Sequence, residues 1–455
     1  MTTISSLNWG LLEIVYFIIV FISGFLVTLF IIPILIKFMK KKGYVGYDIH
    51  KNAKPEVAES GGISILIGIS VASGLLIFFF PIFINEILIF LFTAILAGMI
   101  GFMDDRKKLR SRYKILLTIF TGSIIFLANF FGFINISSPF FPFIGQLRLT
   151  IIYPLLIPLI VAIFANSVNM LEGYNGEGSG TCLIAICFIF ICGLLWNSAL
   201  TILLALPIIA VLIPFFLYNK YPAKIFPGDV GTLSLGAMIA CVALIGSIEV
   251  AVFCALLIHI FNSFYVISSV RGFIESSDIQ EGRDDIILLL DDKIKASDNK
   301  QAVLTLPRLI LVEEPLTEKE LVSHFYIISI LCGLFSLTSV IFMLWTIREI
   351  DIIVVVICIL IFLVPFSILM YKYPKIRGII ILMILLLVLT SIFLIFVDFF
   401  IMSLIFPDIN LIVISIPINI FLSSLLYIPI LLLWYYLSIK YFWMKINKLK
   451  LNELS

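Results

Sequence analysis

The sequence predicts an all-α fold, a helical bundle that crosses a membrane many times, and three observations carry that prediction. Of its 455 residues, 62% are hydrophobic and only 13% are charged, whereas a soluble domain is roughly half apolar and a quarter charged. The excess is gathered into runs such as Ile14–Ile36, Ile63–Ile84, Ile115–Phe131, Ile184–Trp196 extended by Leu200–Tyr218, and Ile379–Val397. Such runs match the roughly 20 residues that a helix needs to cross a bilayer core. Basic residues segregate to one side of the runs, which is the third observation.

The runs predict about 13 spans, near 11–36, 61–84, 86–103, 114–135, 149–167, 179–196, 199–218, 231–246, 248–270, 325–347, 350–371, 377–400 and 411–439. When loops alternate sides, only Arg148 and Arg348 of the 30 Lys and Arg fall on the side of the N-terminus. Lys and Arg accumulate in cytoplasmic loops. The N-terminus is therefore expected outside and the C-terminus, with Lys445, Lys448 and Lys450, in the cytoplasm. The first run is too long for a secretory signal, and Lys37, Lys40, Lys41 and Lys42 follow rather than precede it, so it reads as a first span with a basic stop. The loop from Arg271 to Ser323 is cytoplasmic in this topology. Its apolar runs at Ile286–Leu290 and Leu304–Val312 predict a small ordered appendage. All seven cysteines lie in apolar segments without metal-ligand spacing and read as small buried hydrophobes.

Four polar clusters interrupt the apolar pattern, all on the cytoplasmic side. Tyr47–Gly62 by itself reads as a solvated loop with Ser60 as N-cap of the second span. Asp104 and Asp105 end the third span, before a basic run that reaches Lys114. Carboxylates at a span end are costly unless solvated, paired or bound to a cation. The basic run could neutralise them, or the acids could hold a divalent cation while the lysines attract phosphate. In the third cluster, Asn166, Asn169 and Glu172 recur every three residues and can converge on one helix side, followed by Asn175 between Gly173 and Gly176. Amide and carboxylate oxygens suit Mg²⁺. In the fourth, Phe226-Pro-Gly-Asp229-Val-Gly-Thr232 precedes the eighth span. There Asp229 could cap the helix, or free N–H groups could receive phosphate, and Phe226 could stack on a base. Carboxylates, amides, lysines and glycine-rich helix ends are suited to a magnesium-bound diphosphate at the membrane surface.

At these clusters the chain resembles the polyprenyl-phosphate N-acetylhexosamine-1-phosphate transferases, and within them the dolichyl-phosphate N-acetylglucosamine-phosphotransferases of eukaryotes and archaea. The matching segments are E-S-G-G at Glu59–Gly62, Met103–Lys114, Asn166–Gly176 and Phe226–Gly236. The resemblance implies Mg²⁺-dependent transfer of N-acetylglucosamine-1-phosphate from UDP-GlcNAc to a dolichyl or polyprenyl phosphate with release of UMP, the first step of lipid-linked oligosaccharide assembly for N-glycosylation. It implies that Asn169 and Asp229 ligand Mg²⁺, that Lys114 contacts phosphate, that Asn175 meets the uracil and that Phe226 stacks on it. Asp104 and Asp105 match an acidic pair, and Glu59, Asn166, Glu172 and Arg308 stand among the substrate-binding positions. An endoplasmic reticulum or archaeal cell membrane follows, with a homodimer allowed and no nucleic-acid partner.

Two features depart from the family. With only His50, His259 and His324, the histidine-rich motif of bacterial relatives is missing, which sets the muramoyl-pentapeptide branch aside. In the eukaryotic branch arginines precede a Pro-Arg pair, but Val303 and Thr305 stand here before Pro307-Arg308. That leaves Arg308, or a basic residue elsewhere, to meet the pyrophosphate, and leaves the identity of the sugar open. The resemblance also divides the chain into a transferase core at 1–347, with its loop 271–323, and an appendage of three further helices at 348–455. The rivals are the same chemistry with another UDP-hexosamine or prenyl acceptor, a transporter or flippase, and an inactive scaffold. Transport sites gather ionisable groups near the midplane, where His259 is the only histidine and reads as a packed core residue.

Overall fold

The computed structural model describes residues 10–146, 152–270, 285–299, 301–396 and 418–453. Helices account for most of it. In chain order they are α1 (Leu11–Lys41), α2 (Gly62–Phe79), α3 (Ile84–Arg106), α4 (Ser111–Phe130), α5 (Ile152–Leu171), α6 (Glu177–Leu195), α7 (Ala199–Asn219), α8 (Gly228–Gly246), α9 (Glu249–Ala255), α10 (Leu257–Val270), α11 (Leu306–Leu311), α12 (Glu318–Thr346), α13 (Ile352–Lys372), α14 (Arg377–Phe396) and α15 (Ile418–Glu453). Among the described residues, 11 helices are long and apolar enough to span a bilayer. The span expected at 248–270 is instead the pair α9 and α10, bent by 68°. The start of the thirteenth expected span, 411–417, lies outside the described residues, as do Arg148 and Arg271.

Helix α8 is the axis of the bundle. Every residue from Val230 to Gly246 is buried, and α3 and α5 pack along it. Lipid tails are as apolar as leucine, so helices in a membrane associate through close packing of small residues. Gly101 of α3 lies against the backbone of Asp229 and Val230, and Gly62 of α2 against the backbone of Gly231. A side chain at either glycine would push the N-terminus of α8 away. The outer surface is the opposite case: on α13 Val355 is the one buried residue, and Ile353, Leu360, Ile361 and Val364 are exposed. That is the surface of a helix facing lipid.

A second apolar core joins α10, α11 and α12 to the C-terminal helices. Trp434 of α15 packs on Phe261 and Phe264 and donates its indole N–H to Leu382 O of α14 (3.0 Å). The ion pairs Lys375–Glu314 and Lys445–Glu313 also fasten this region to the segment after α11. The ordered appendage expected in the loop is a three-stranded antiparallel sheet, β5 (Ile286–Leu288), β6 (Lys293–Ala296) and β7 (Leu316–Thr317), with α11 packed beside it. Residues 271–284 of that loop are outside the described residues. The remaining strands form two short hairpins, β1 (Val45–Tyr47) with β2 (Glu56–Ala58), and β3 (Phe140–Phe141) with β4 (Gly145–Gln146). All seven cysteines are free thiols, five of them buried and Cys187 and Cys358 half-buried, and His259 is fully buried with Nε2 3.0 Å from Thr181 Oγ1.

Candidate active site

Four helix ends meet at one point: the C-termini of α3 and α5 and the N-termini of α4 and α8. The sequence reading left open whether the basic run after Asp104 and Asp105 neutralises the pair. The structure gives each carboxylate its own task. Asp104 (7% exposed) pairs with Lys114 of α4 at 2.6 Å and accepts the Leu109 N–H at 2.6 Å. The same Lys114 ammonium, only 2% exposed, pairs with Asp229 of α8. A lysine with its stem packed at a helix interface and its head between two acids is a buried charge held by paired partners.

Asp105 faces the other way and caps α8 from outside. Its Oδ1 accepts the Asp229 N–H (2.8 Å), the Val230 N–H also bonds to it, and its Oδ2 accepts the Ser60 hydroxyl (2.7 Å). The first amides of a helix lack intrahelical partners and carry the positive end of the dipole, so a carboxylate there is stabilising. Two expectations change accordingly. Asp229 does not cap its own helix, and the amides read as free for phosphate are occupied by Asp105. Ser60 is also not the N-cap of α2. It has φ +58°, its hydroxyl accepts from Arg106 Nη2 (2.6 Å), and Arg106 stacks 3.4 Å above the Tyr44 ring.

The asparagines of α5 divide from the glutamate. Asn169 is 8% exposed, and its amide is best satisfied with nitrogen toward Thr232 Oγ1 (2.5 Å) and Asp229 Oδ1 (3.0 Å). Its oxygen then lies 3.3 Å from Lys114 Nζ. Asn166 bonds Thr118 Oγ1 of α4 at 2.8 Å, on the same side. Glu172 does not converge with them, because α5 stops at Leu171 and the chain turns. It accepts the Gly178 N–H at 2.7 Å, and burial pushes its carboxyl up to about 8. Its work is to cap α6.

Glu59 and Phe226 are neighbours through a backbone zipper. Phe226 N donates to Ala58 O and Gly61 N donates to Phe226 O, both at 2.8 Å. The half-buried Phe226 ring lies against Gly46, and Glu59 reaches toward the same glycine. Burial and the nearby Asp105 raise the Glu59 carboxyl above its ordinary value. Asn175 is 2% exposed. Its Nδ2 donates to Asp48 Oδ2 (2.9 Å) and Glu318 Oε2 (3.2 Å), and its backbone N–H to Glu318 Oε1 (2.7 Å). The amide that was expected to face a uracil is engaged by two acids.

Arg308 is a clear correction. It is fully buried in α11, and its guanidinium donates to the carbonyls of Ser297, Asn299, Ala302 and Val303 at 2.7–3.2 Å. It shapes the 297–305 segment and presents nothing to a diphosphate. Thr305, one of the positions where the resemblance wants arginine, caps α11.

The reading of Tyr47–Gly62 as a solvated loop missed Asp48, His50 and Ser60, which are 3%, 8% and 0% exposed. The dense D-I-H-K run beside E-S-G-G was the available signal. Thr232 was legible one helical turn after Asp229, whereas Glu318, in the first turn of α12, carried no signal beyond that of an ordinary capping acid.

The donor set fits a hard divalent cation: an Asp229 carboxylate oxygen and the Asn169 amide oxygen both face the Lys114 ammonium, so hard oxygen donors of two kinds already converge on one positive charge. Comparison with known proteins follows the same segment. The model of glycosyl transferase family 4 matches residues 87–247, which hold α4–α8 and most of α3. A protein of Methanocaldococcus jannaschii named as a glycosyltransferase is 33% identical over 305 residues, covering 66% of this chain and 90% of that protein. A Sulfolobus acidocaldarius protein named as a UDP-N-acetylglucosamine–dolichyl-phosphate N-acetylglucosaminephosphotransferase is 33% identical over 243 residues, 51% of this chain and 72% of its own. A phospho-N-acetylmuramoyl-pentapeptide-transferase of Streptococcus pneumoniae is 30% identical over 262 residues, 55% and 79% of the two chains.

Proposed function

The chain belongs to glycosyl transferase family 4 and is a phosphosugar transferase embedded in a membrane; from that premise we propose that it moves N-acetylglucosamine-1-phosphate from UDP-GlcNAc to a dolichyl or polyprenyl phosphate, on the cytoplasmic side. The observation that carries the reading is the Lys114 ammonium held between Asp104 and Asp229 with the Asn169 amide beside it. In this reading a lipid-phosphate oxygen bonds to the β-phosphorus of the UDP-sugar, the bond to the bridging oxygen breaks, and UMP leaves with the electron pair. A phosphate monoester is largely ionised at neutral pH, so no base has to remove a proton. Asp104 then holds Lys114 in place, and Lys114 offers its charge to the phosphates. Asp105 orients α8 and so aims Asp229. Asn169 and Asp229 would hold Mg²⁺, which when bound supplies Lewis acidity and charge neutralisation at the diphosphate.

The sugar is the point on which a second reading bears, since relatives named for two different sugars match this chain at similar identity and Arg308 is spent on its own loop. The test is radiolabel transfer into the organic phase by the detergent-purified chain, with UDP-GlcNAc against other UDP-hexosamines and dolichyl against shorter prenyl phosphates. Label that requires Mg²⁺ and UDP-GlcNAc, and that Asp229→Ala abolishes, is the expected result. Transfer from another UDP-sugar only would replace the substrate, and transfer indifferent to EDTA would remove the metal.

A further inference from the structure

A second buried polar cluster lies beside the first and has no task in phosphosugar transfer. Asp48 and His50, in the turn after β1, meet Glu318, the first residue of α12. One ligand-capable atom from each lies within 4.8 Å of the other two. Exposures are 3%, 8% and 3%. Glu318 is far from Asp48 and His50 in the chain, so the fold and not local sequence assembles them.

We propose that Asp48, His50 and Glu318 form a second divalent-cation site, of the imidazole-and-carboxylate type that takes zinc or a related transition metal. Three features carry the proposal. First, the His50 ring is fixed by stacking on Tyr174, with centroids 4.2 Å apart and planes 21° from parallel. Neither of its nitrogens hydrogen-bonds a described residue, although the ring is more than nine-tenths buried. Second, two carboxylates face one ammonium: Lys51 sits 2.5 Å from Asp48 Oδ2 and also 4.4 Å from the centre of the Tyr221 ring. Two buried acids against one cation leave room for further positive charge. Third, Asn175 braces both acids through its side-chain and backbone N–H groups, the hydrogen-bonding that orients carboxylate ligands around a metal.

One imidazole nitrogen with two carboxylate oxygens selects zinc-like ions over Mg²⁺, which separates this cluster from the one at Asp229, where no imidazole is present. A metal here would fasten the β1–β2 turn to α12, next to the Asn175 amide that bonds both acids.

The test uses the full chain in detergent, stripped with EDTA, loaded with Zn²⁺ alone, desalted and measured by elemental mass spectrometry. One zinc per chain is expected in the parent protein and in Asp229→Ala, with loss in His50→Ala and Glu318→Gln. Asn175→Ala should weaken zinc about 10- to 100-fold. With Cu²⁺ as probe, electron paramagnetic resonance should show histidine-nitrogen coupling that His50→Ala removes and His324→Ala leaves. A parent protein free of zinc after desalting overturns the site regardless of how the variants fold. So does copper coupling that vanishes with His324 instead, and so does zinc that leaves with Asp229→Ala. None of these outcomes depends on whether phosphosugar transfer is observed.

Discussion

The cluster around Lys114 and the cluster around Asn175 are both buried, both acidic and both crossed by a lysine, yet they are built from different material. The first is made of helix termini. Its Asp104, Lys114, Asn169 and Asp229 are fixed because α3, α4, α5 and α8 pack backbone to backbone at glycines such as Gly101, Gly122 and Gly236. The second is made of turns, with Asp48 and His50 after β1 and Asn175 between two helices, and only Glu318 sits on a helix. Rigid elements hold groups in place more precisely than loops do. The first cluster is therefore suited to chemistry that fails at small displacements, and the second to bracing or binding that tolerates them.

That contrast can be broken at several points. The largest effect is expected at Asp229→Ala, which should lower transfer by about 10³-fold while the melting temperature changes little; a variant with near-normal turnover would deprive the first cluster of its chemical role. Lys114→Ala should destabilise the fold by about 3–5 kcal/mol, because it strands two carboxylates without their cation. Chemical or thermal unfolding in detergent would show this, and Lys114→Met losing nothing would mean that the acids find another partner.

The Glu172 carboxyl sharpens the comparison from the side of the turns. Its pKa is about 8 in the fold against an ordinary 4.5, so the folded state holds a proton that the unfolded chain releases. Its contribution is complete below about 4.5 and is lost as pH rises toward about 8. Melting temperatures across that range should fall in the parent protein and fall less steeply in Glu172→Gln; equal slopes would show that this carboxyl ionises without cost. The smallest effect is expected at Ser60→Ala, about 1 kcal/mol from two lost hydrogen bonds, read as a slightly lower melting temperature with transfer retained.

Much of the first cluster was legible. Paired acids at a span end, amides three apart on one helix and a glycine-flanked aspartate each break a long apolar pattern, and such breaks are costly enough to mark function. The second cluster was not legible, because Asp48 and His50 look like loop residues until Glu318 and Asn175 close over them. Arg308 failed for a related reason: Pro-Arg after an apolar run resembles a ligand-binding motif, but the 297–305 segment turned its own carbonyls inward, and a buried guanidinium with five donors satisfies them.

What the sequence determined by itself was the solvent of this protein. Apolar runs of bilayer length must be helices, since lipid offers no partner to an open backbone, and this settled the fold class and the order in which the polar segments follow one another. Which carboxylate meets which cation was decided only by the tertiary structure. Asp104 and Asp105 are adjacent and chemically identical, and a helix turns about 100° per residue, so one faces Lys114 and the other the N-terminus of α8. That direction is set by the packing of α3 on α8 through Gly101 and not by any property of the two residues.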